Sequence, residues 1–487
     1  MKATLYFFIS ILCIASLAQP VFPQSAGFGA SDIEIPYYET WQDLNHSGTY
    51  EEGIDQFTDR NQNKAFDALW LGGFQQARPA SSRHTPLQAI ALVLKTSQMV
   101  MALVAVDLVG LGYDDVKPIQ AQVKKEFPFI QSTLIASTHT HSSPDTIGIW
   151  GPNQSTNGRH PIFMENIGKA VIAAIARAVK DLEPAKGVYG TVFPKKEAEI
   201  QNDSRPPYVH DRGIHYIQLH KQQGMMPLGH IVFWSNHPEV MGSKNTKISA
   251  DFPFFLRAKI NDTLGGTSLY FNGAIGGLLS TNHDQPIWDE HFKRKITVPG
   301  HTKAKAVGHR IADAVIQDIV GQKAQPIDIG QLSFDRRQFS ITLQNPLFIK
   351  AIRGGILTRI LTDKNTLDTE VSLTRIGSFA LLGIPGELYP EIFLGGVEAP
   401  AGQDHPSAPV EAPALKELLK PAQSVVIGLA NDELGYLIPK SQWDQKPPYT
   451  YNRLTPPYGE INSIGPHAGS KIYEEVARHL IEKSKNP

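Results

Sequence analysis

Short apolar runs of strand length recur along the chain, and segments with helical periodicity lie between them. The runs match buried strands in length, whereas buried helices need longer segments. Strands that alternate with helices are typical of an α/β fold, here with mixed β-sheet layers and flanking helices in a single domain. The predicted strands are residues 89–94, 99–109, 132–137, 229–234, 268–271, 378–383 and 424–429, and the clearest predicted helices are residues 163–182 and 303–319.

Residues 1–25 have the layout of a secretory signal. Lys2 supplies a positive start, residues 5–17 are an apolar run, and small residues follow it at Ala18 and Ala26. The run is too short to span a bilayer comfortably, which favours a cleaved signal over the alternative of a membrane anchor. We therefore expect residues 26–487 to be exported, either periplasmic or secreted, with no stable membrane span after cleavage.

Charge and cysteine content exclude several function classes. The net charge is -1 with a pI near 7.0, so the chain has no basic footprint for nucleic acid. Cys13 is the only cysteine, and it lies within the predicted signal. A mature chain without thiols has no cysteine nucleophile, no disulfide and no cysteine-ligated metal. Any metal must be bound by histidine, carboxylate, carbonyl or phenol groups.

Two histidines follow directly after one predicted strand. The motif Ser-Thr-His-Thr-His-Ser-Ser-Pro at residues 137–144 places His139 where strand meets loop, with His141 two residues further on. If the extended conformation continues, the two side chains share a face. One imidazole can then bind a metal while the other contacts a substrate or bound water. Loop histidines that only form hydrogen bonds are the alternative.

Three other polar side chains follow predicted strands in the same way. His237 comes after the run 229–234, Glu387 follows a Pro-Gly turn after another run, and Tyr436 comes after the run 424–429. The carboxyl ends of strands are where open α/β sheets form ligand sites. Each residue also has an ordinary explanation, namely a histidine in a turn, a solvated carboxylate or a packed aromatic ring.

Together these segments resemble the neutral ceramidase family over nearly all of residues 26–487, which would form one catalytic domain. The resemblance is most specific in the Thr-His-Thr-His-Ser-x-Pro motif and extends to residues 29–33 and 106–110. It implies a metal-activated water that attacks the amide carbonyl of ceramide or a related N-acyl lipid. The zinc ligands that it implies are His139, His237, Glu387 and Tyr436.

The resemblance also implies two catalytic side chains. His141 is similar to a family residue that contacts the reacting group, and it can pass a proton to the leaving amine. Arg205 lies in a stretch, residues 202–206, where the order of the family's Asn-Arg-Ser-Pro is altered. By this resemblance, Arg205 would stabilise the oxyanion.

The sequence departs from the family pattern at residues 271–278. In the family, an Asn-x-Gly-Asp-Val-Ser-Pro-Asn-like segment contributes a serine to the active site. Here Gly276 stands in place of that serine and Ala274 in place of the aspartate. This excludes a serine nucleophile at residue 276 and leaves the zinc and water route intact. Larger ceramidases continue into an immunoglobulin-like C-terminal domain, which we do not expect in this chain.

Residues 41–67 form a polar insertion with two similar stretches. Oxygen-bearing side chains recur at positions 1, 3, 5 and 9 of each, as in calcium loops of EF-hand type, but the glutamate at position 12 is missing from both. We expect a calcium site that stiffens this surface loop, and a pair of Asx-rich turns without metal is the alternative. The predicted calcium ligands are Asp43, Asn45, Ser47, Asp59, Asn61, Asn63 and Asp67.

The function predicted first is an exported zinc-dependent amidohydrolase acting on a small-molecule or lipid substrate. A zinc esterase or lactonase on the same scaffold is the second reading, because the same hydroxide attacks esters more readily. A catalytically inactive ligand-binding relative is the third, and the loss of the serine motif at Gly276 favours it. The sequence does not indicate an oligomeric state.

Overall fold

The computed structural model describes residues 24–194, 200–224, 226–277, 280–281, 286–289 and 293–482. The predicted signal therefore lies outside the described residues, apart from its last two positions. Ser25 already belongs to the first strand of the main sheet, where it pairs with Lys95 and Pro184.

The larger sheet has nine strands and is mixed, with the order β8-β7-β6-β5-β1-β2-β3-β4 and β9 paired to β5. Its parallel pairs are β3 with β4 and β7 with β8, and its other pairs are antiparallel. The strands are β1 (Ser25–Asp32), β2 (Gln88–Lys95), β3 (Val100–Val106), β4 (Ser132–Ser137), β5 (Glu183–Val192), β6 (Ile214–Lys221), β7 (Pro227–Phe233), β8 (Thr267–Phe271) and β9 (Gln325–Ile327).

The smaller sheet has four strands in sequential order, and its last pair is parallel. Its strands are β10 (Leu332–Thr342), β11 (Thr366–Ile376), β12 (Phe379–Gly383) and β13 (Gln423–Ile427). Short ladders join Trp41–Gln42 to Gln56–Phe57, Ser82–Arg83 to Lys247–Ile248, Gln201–Asn202 to Ser280–Thr281, Ile287–Asp289 to Arg294–Ile296, and Glu387–Leu388 to Tyr436–Leu437.

The two sheets pack face to face. Alternate side chains of each strand point to opposite sides of its sheet, so one strand can contribute to two cores. Ile90 and Leu92 of β2 contribute to a core that also contains Leu381 and Ile427 of the smaller sheet. Ala91, on the opposite face of β2, belongs to a second core formed with helices. The molecule is therefore layered as helices, sheet, sheet and helices.

The helices cover the two outer faces of this pair of sheets. Helices α1 and α2 pack on β2 and β3, α3 and α4 pack on β6 to β8, and the C-terminal helices cover the smaller sheet. No helix among the described residues is long and apolar enough to cross a membrane. The helices are α1 (Tyr113–Glu126), α2 (Pro161–Lys180), α3 (Asp251–Leu264), α4 (His301–Val320), α5 (Pro346–Arg353), α6 (Pro390–Leu394), α7 (Leu415–Leu418) and α8 (Ala468–Glu474), followed by a wider turn at Glu475–Ile481, with short 3₁₀ turns at Lys440–Gln442, Thr450–Asn452 and Gly459–Asn462.

The predicted α/β class with mixed sheet layers and flanking helices is confirmed. Each predicted strand coincides with a strand of the structure to within about three residues at either end. The predicted helices at residues 163–182 and 303–319 correspond to α2 and α4.

Candidate metal centre

Four side chains from both sheets meet beyond the carboxyl ends of their strands. His139 follows β4, His237 follows β7, and Glu387 follows β12. Tyr436 comes after β13 and lies directly beside Glu387 in a short parallel ladder. The structure thus brings together the four predicted zinc ligands from distant parts of the chain.

The donor atoms of these side chains lie close enough to share one ion. His139 Nε2 is 3.7 Å from Glu387 Oε1, and His237 Nε2 is 2.9 Å from Glu387 Oε2. The Tyr436 side chain lies beside Glu387 and helps to lower the pKa of that carboxyl. His141 joins the group, because its Nε2 lies 3.4 Å from His139 Nε2 and the three imidazoles offer nitrogens within 4.8 Å of one another.

The hydrogen bonding of His139 fits a metal ligand. Its Nδ1 lies 2.5 Å from the Val109 carbonyl oxygen, which can only accept, so the hydrogen is on Nδ1 and the Nε2 lone pair faces the cluster. Two ligands of a tetrahedral zinc with bonds of about 2.0–2.1 Å lie about 3.3–3.4 Å apart. The separation of Glu387 from His139, 3.7 Å, is slightly longer than this value and its separation from His237, 2.9 Å, is slightly shorter, so these donors can surround one metal ion of this size.

The backbone at His139 is also unusual. Its φ is +69°, a left-handed conformation that non-glycine residues rarely adopt. A backbone hydrogen bond from His139 to Leu108 and a buried ion pair hold this turn. In that pair Arg257 donates two hydrogen bonds to Asp107, at 2.8 and 2.7 Å, and Asp107 also accepts from Thr138. Strain held by the surrounding structure is common at functional sites.

The electrostatics of the cluster favour a cation. Burial lowers the pKa of His139 to about 4, and burial with the adjacent imidazoles lowers the pKa of His141 well below its ordinary value. Burial alone would raise the pKa of Glu387, but His139, His237 and the Tyr436 hydroxyl outweigh it and lower that pKa. The neutral imidazole is the form of histidine that binds metals. A bound cation would also neutralise the charge of the buried Glu387 carboxylate.

Two cavities meet at the cluster and share His141, Tyr436, Tyr458 and Gly73. The larger encloses about 950 Å³ of empty space, its open mouth included, and also contacts His139 and Glu387. Its walls are mainly apolar, with Val109, Ile147, Ile149, Trp150, Phe348, Ile352, Leu357, Leu367, Leu434 and Ile464. The smaller, of about 780 Å³, is completed by Phe74, Gln75, His237 and Glu239.

Sequence reasoning missed two residues that hold His141. Glu239 Oε2 lies 3.6 Å from His141 Nδ1, and Arg78 donates a hydrogen bond of 2.7 Å to the His141 carbonyl. Glu239 follows His237 by two residues, and this proximity in sequence could have identified it. Arg78 lies in a loop with no comparable signal.

Arg205 is placed differently from the other predicted site residues. Its guanidinium donates to both carboxylate oxygens of Glu460 at 2.8 Å and to the Gln442 carbonyl, and it lies over the Tyr389 ring. Among the described residues, those that line the two cavities do not include Arg205. The charge of Arg205 is paired with the buried Glu460, and its role at an oxyanion stays a prediction.

Gly276, which stands in place of the family serine, has no space for a side chain. A Cβ at this position would lie 2.4 Å from the Glu387 carbonyl oxygen, 2.5 Å from the Tyr389 ring and 2.7 Å from the Leu388 carbonyl carbon. The Gly276 amide also donates a hydrogen bond of 2.9 Å to Leu388. The backbone that carries Glu387 thus packs directly against Gly276.

The two stretches of the polar insertion fold as similar turns. The Asp43 carboxylate accepts hydrogen bonds from the backbone amides four and five residues further on, and Asp59 does the same. In the second stretch the side chains of Asn61 and Asn63 donate to Asp67 at 2.6 and 3.0 Å. The first stretch also includes the predicted ligands Asn45 and Ser47. Calcium binding here stays a prediction.

The layered scaffold and the buried cluster together define a candidate metal centre in an α/β protein. No protein-family model and no curated protein sequence matches the chain. Its fold is that of solved ceramidases. The structure of neutral ceramidase from Pseudomonas aeruginosa aligns with a TM-score of 0.66 over 95% of this chain and 75% of that chain, at 16% identity. A ceramidase complexed with C2 aligns with a TM-score of 0.67 over 95% of this chain and 76% of that chain, also at 16% identity.

Proposed function

We propose that the chain is an exported, zinc-dependent hydrolase that cleaves the amide bond of ceramide or a related N-acyl lipid. The observation that carries the proposal is the convergence of three imidazoles and a carboxylate where an apolar and a more polar cavity meet. The fold shared with ceramidases supports the reaction class.

We assign the metal ligands as His139, His237, Glu387 and Tyr436. Burial and the nearby Glu387 raise the pKa of Tyr436 well above its ordinary value, so its phenol is neutral in the metal-free protein. When bound, zinc would act as a Lewis acid and lower the pKa of a water to about 7. The protein's part is to hold these donors in a preformed, buried arrangement.

We assign His141 the role of accepting a proton from the attacking water and passing it to the leaving amine. Its ring contributes to both cavities, so an amide placed at their junction would contact it. Glu239 faces the opposite ring nitrogen and would stabilise the protonated imidazole. The His141 imidazole can pack here because residue 73 is a glycine, since a Cβ at that position would lie 2.4 Å from His141 Cγ.

The larger cavity suits the acyl chain of such a substrate. Its apolar walls would bury hydrocarbon at about 0.8 kcal/mol per methylene. The polar end of the substrate would then occupy the smaller cavity, beside Gln75 and Glu239.

Metal analysis combined with turnover tests this proposal. We expect about one tightly bound zinc per chain in the wild type, and far less in His139→Ala and His237→Ala. His309→Ala, a half-buried histidine on α4 outside the cluster, is the matched control and should keep the metal. A panel of N-acyl lipids and esters, assayed with and without a chelator, separates amidase from esterase activity. A wild-type protein that binds no zinc, or turnover that a chelator leaves unchanged, would contradict the proposal.

A further inference from the structure

Large apolar side chains are exposed beside residues that line the larger cavity. Leu347 is 63% exposed, Ile360 73%, Tyr458 56% and Ile461 48%, and we call these four residues the rim. Tyr458 itself lines both cavities, and each of the other three is adjacent in sequence to a residue that lines the larger one. The neighbouring lining residues are Phe348, Arg359 and Asn462.

The segments that carry the rim are tied together by hydrogen bonds. The Asn345 side chain caps α5 by accepting from the Leu347 amide at 2.9 Å, and it donates to the carbonyls of Ile461 and Ser463. After α5, the Ile356 amide donates to a carbonyl of the helix, which fixes the start of the loop that carries Ile360. The rim is thus part of an ordered surface.

The apolar side chains of helix α5 are only partly covered by the rest of the protein. None of its residues is fully buried, although its sequence Pro-Leu-Phe-Ile-Lys-Ala-Ile-Arg is mostly apolar. Phe348 and Ile352 face the cavity, whereas Leu347 faces solvent. Exposed apolar surface that is continuous with an apolar cavity marks an interaction site.

The charge around the rim identifies the kind of partner. Residues 345–365 carry the basic residues Lys350, Arg353, Arg359 and Lys364 but a single acidic residue, Asp363. Arg359 is paired with Asp432 and Asp114, which leaves Lys350 and Arg353 on α5 and the neighbouring Asp363 and Lys364 in the loop after it, an excess of two positive charges. A short helix with apolar and basic side chains at the mouth of an apolar cavity complements an anionic lipid surface.

We propose that the rim docks on an anionic lipid surface, with the larger cavity opening toward it. The apolar side chains enter the boundary between headgroups and acyl chains, while Lys350 and Arg353 contact anionic headgroups. An acyl chain can then pass from the surface into the cavity without crossing water. This last step rests on the proposed function, whereas the docking itself is a property of the surface and can be measured without catalysis.

Vesicle sedimentation with the full mature chain tests the docking. Vesicles of phosphatidylcholine with 30% phosphatidylglycerol are compared with vesicles of phosphatidylcholine alone. The test variant is Leu347→Asp with Ile360→Asp, and the charge variant is Lys350→Glu with Arg353→Glu. The matched control is Val298→Asp with Val320→Asp, two valines that are 75% and 66% exposed and lie outside the rim.

We expect the wild type and the control to bind the anionic vesicles alike and pure phosphatidylcholine more weakly. The rim variant should lose about tenfold in affinity for each apolar side chain, and the charge variant about fivefold for each reversed charge or more. Wild-type protein that stays in the supernatant, or a rim variant that binds like the control, would overturn the proposal. So would a wild-type dimer that the rim variant dissociates, since the rim would then contact a second copy.

A chelator-treated sample separates this inference from the proposed function. If vesicle binding persists without metal but no amide is cleaved under any condition, docking holds and the proposed reaction fails. If a water-soluble short-chain amide is cleaved equally by the wild type and the rim variant while vesicle binding is equal too, the reaction holds and docking fails.

Discussion

A serine at position 276, introduced by Gly276→Ser, should damage the metal centre rather than improve it. The new Cβ would lie within 2.4–2.7 Å of three atoms of residues 387–389, two of them backbone atoms that no side-chain rotation can move. Overpacking of this kind costs about 1–3 kcal/mol, and contact with backbone favours the upper end. Relief requires the Glu387 backbone to shift, which also moves a proposed metal ligand.

The neighbouring glycine provides a matched control. A Cβ at Gly277 would meet the Asp203 carboxylate at 3.1 Å, a side-chain contact that can adjust. We therefore expect Gly276→Ser to lose about 3 kcal/mol of unfolding free energy in urea and most of its bound zinc, whereas Gly277→Ser should lose less than about 1 kcal/mol. A Gly276→Ser protein with wild-type stability and a full complement of zinc would refute this reasoning.

Three further outcomes are expected. His141→Ala should lower kcat by about 10²–10⁴-fold while the zinc content by mass spectrometry stays unchanged; loss of the zinc would instead make His141 a ligand. Calcium at 100 times its Kd should stabilise the wild type by about 2.7 kcal/mol in thermal unfolding, and the Asp43→Asn, Asp59→Asn double variant should not respond; an equal response of both would contradict the calcium loops. Burial raises the pKa of Glu391 to about 7, so the folded state binds a proton that the unfolded state releases above about pH 4.5. Stability should then fall by up to about 3 kcal/mol as the pH rises from 4.5 to 7, and Glu391→Gln should flatten this slope in urea titrations; an unchanged slope would exclude Glu391 as its cause.

The fold was readable from the sequence where a strand buried on both faces is also an uninterrupted apolar run; β6, which is buried but carries polar side chains, was not predicted. Strands β2, β3 and β12 lie between packed layers, so they appear as continuous apolar runs. Strand β10 was not predicted, because this edge strand of the smaller sheet is mostly exposed and its sequence, Leu-Ser-Phe-Asp-Arg-Arg-Gln-Phe-Ser-Ile-Thr, carries charges at its centre. Helix α3 was also missed, since Pro253 and its mixed apolar faces hide the helical period.

The site was predictable in part for a similar reason. A histidine or glutamate directly after an apolar strand is a local signal, and His139, His237 and Glu387 each show it. The partners of a side chain are not local, however. Arg205 pairs with Glu460, which lies 255 residues further along the chain, and no spacing or motif in the sequence indicates that pair. Glu239 is different, because it follows His237 by two residues and sequence could have placed it near the cluster, although its contact with His141 depends on how two loops pack.

The glycine at position 276 bears on whether the chain is an active enzyme or a binding relative. Considered from the sequence alone, the missing serine favours a binding relative without catalytic activity. In the structure, the absence of a side chain is what allows the backbone of residues 387–388 to lie against Gly276 and to accept its amide hydrogen bond. That contact helps to hold Glu387 at 2.9 Å from His237. The packing around Gly276 therefore fixes the position of Glu387 without a serine, and the turnover assay proposed above decides between an enzyme and a ligand-binding relative.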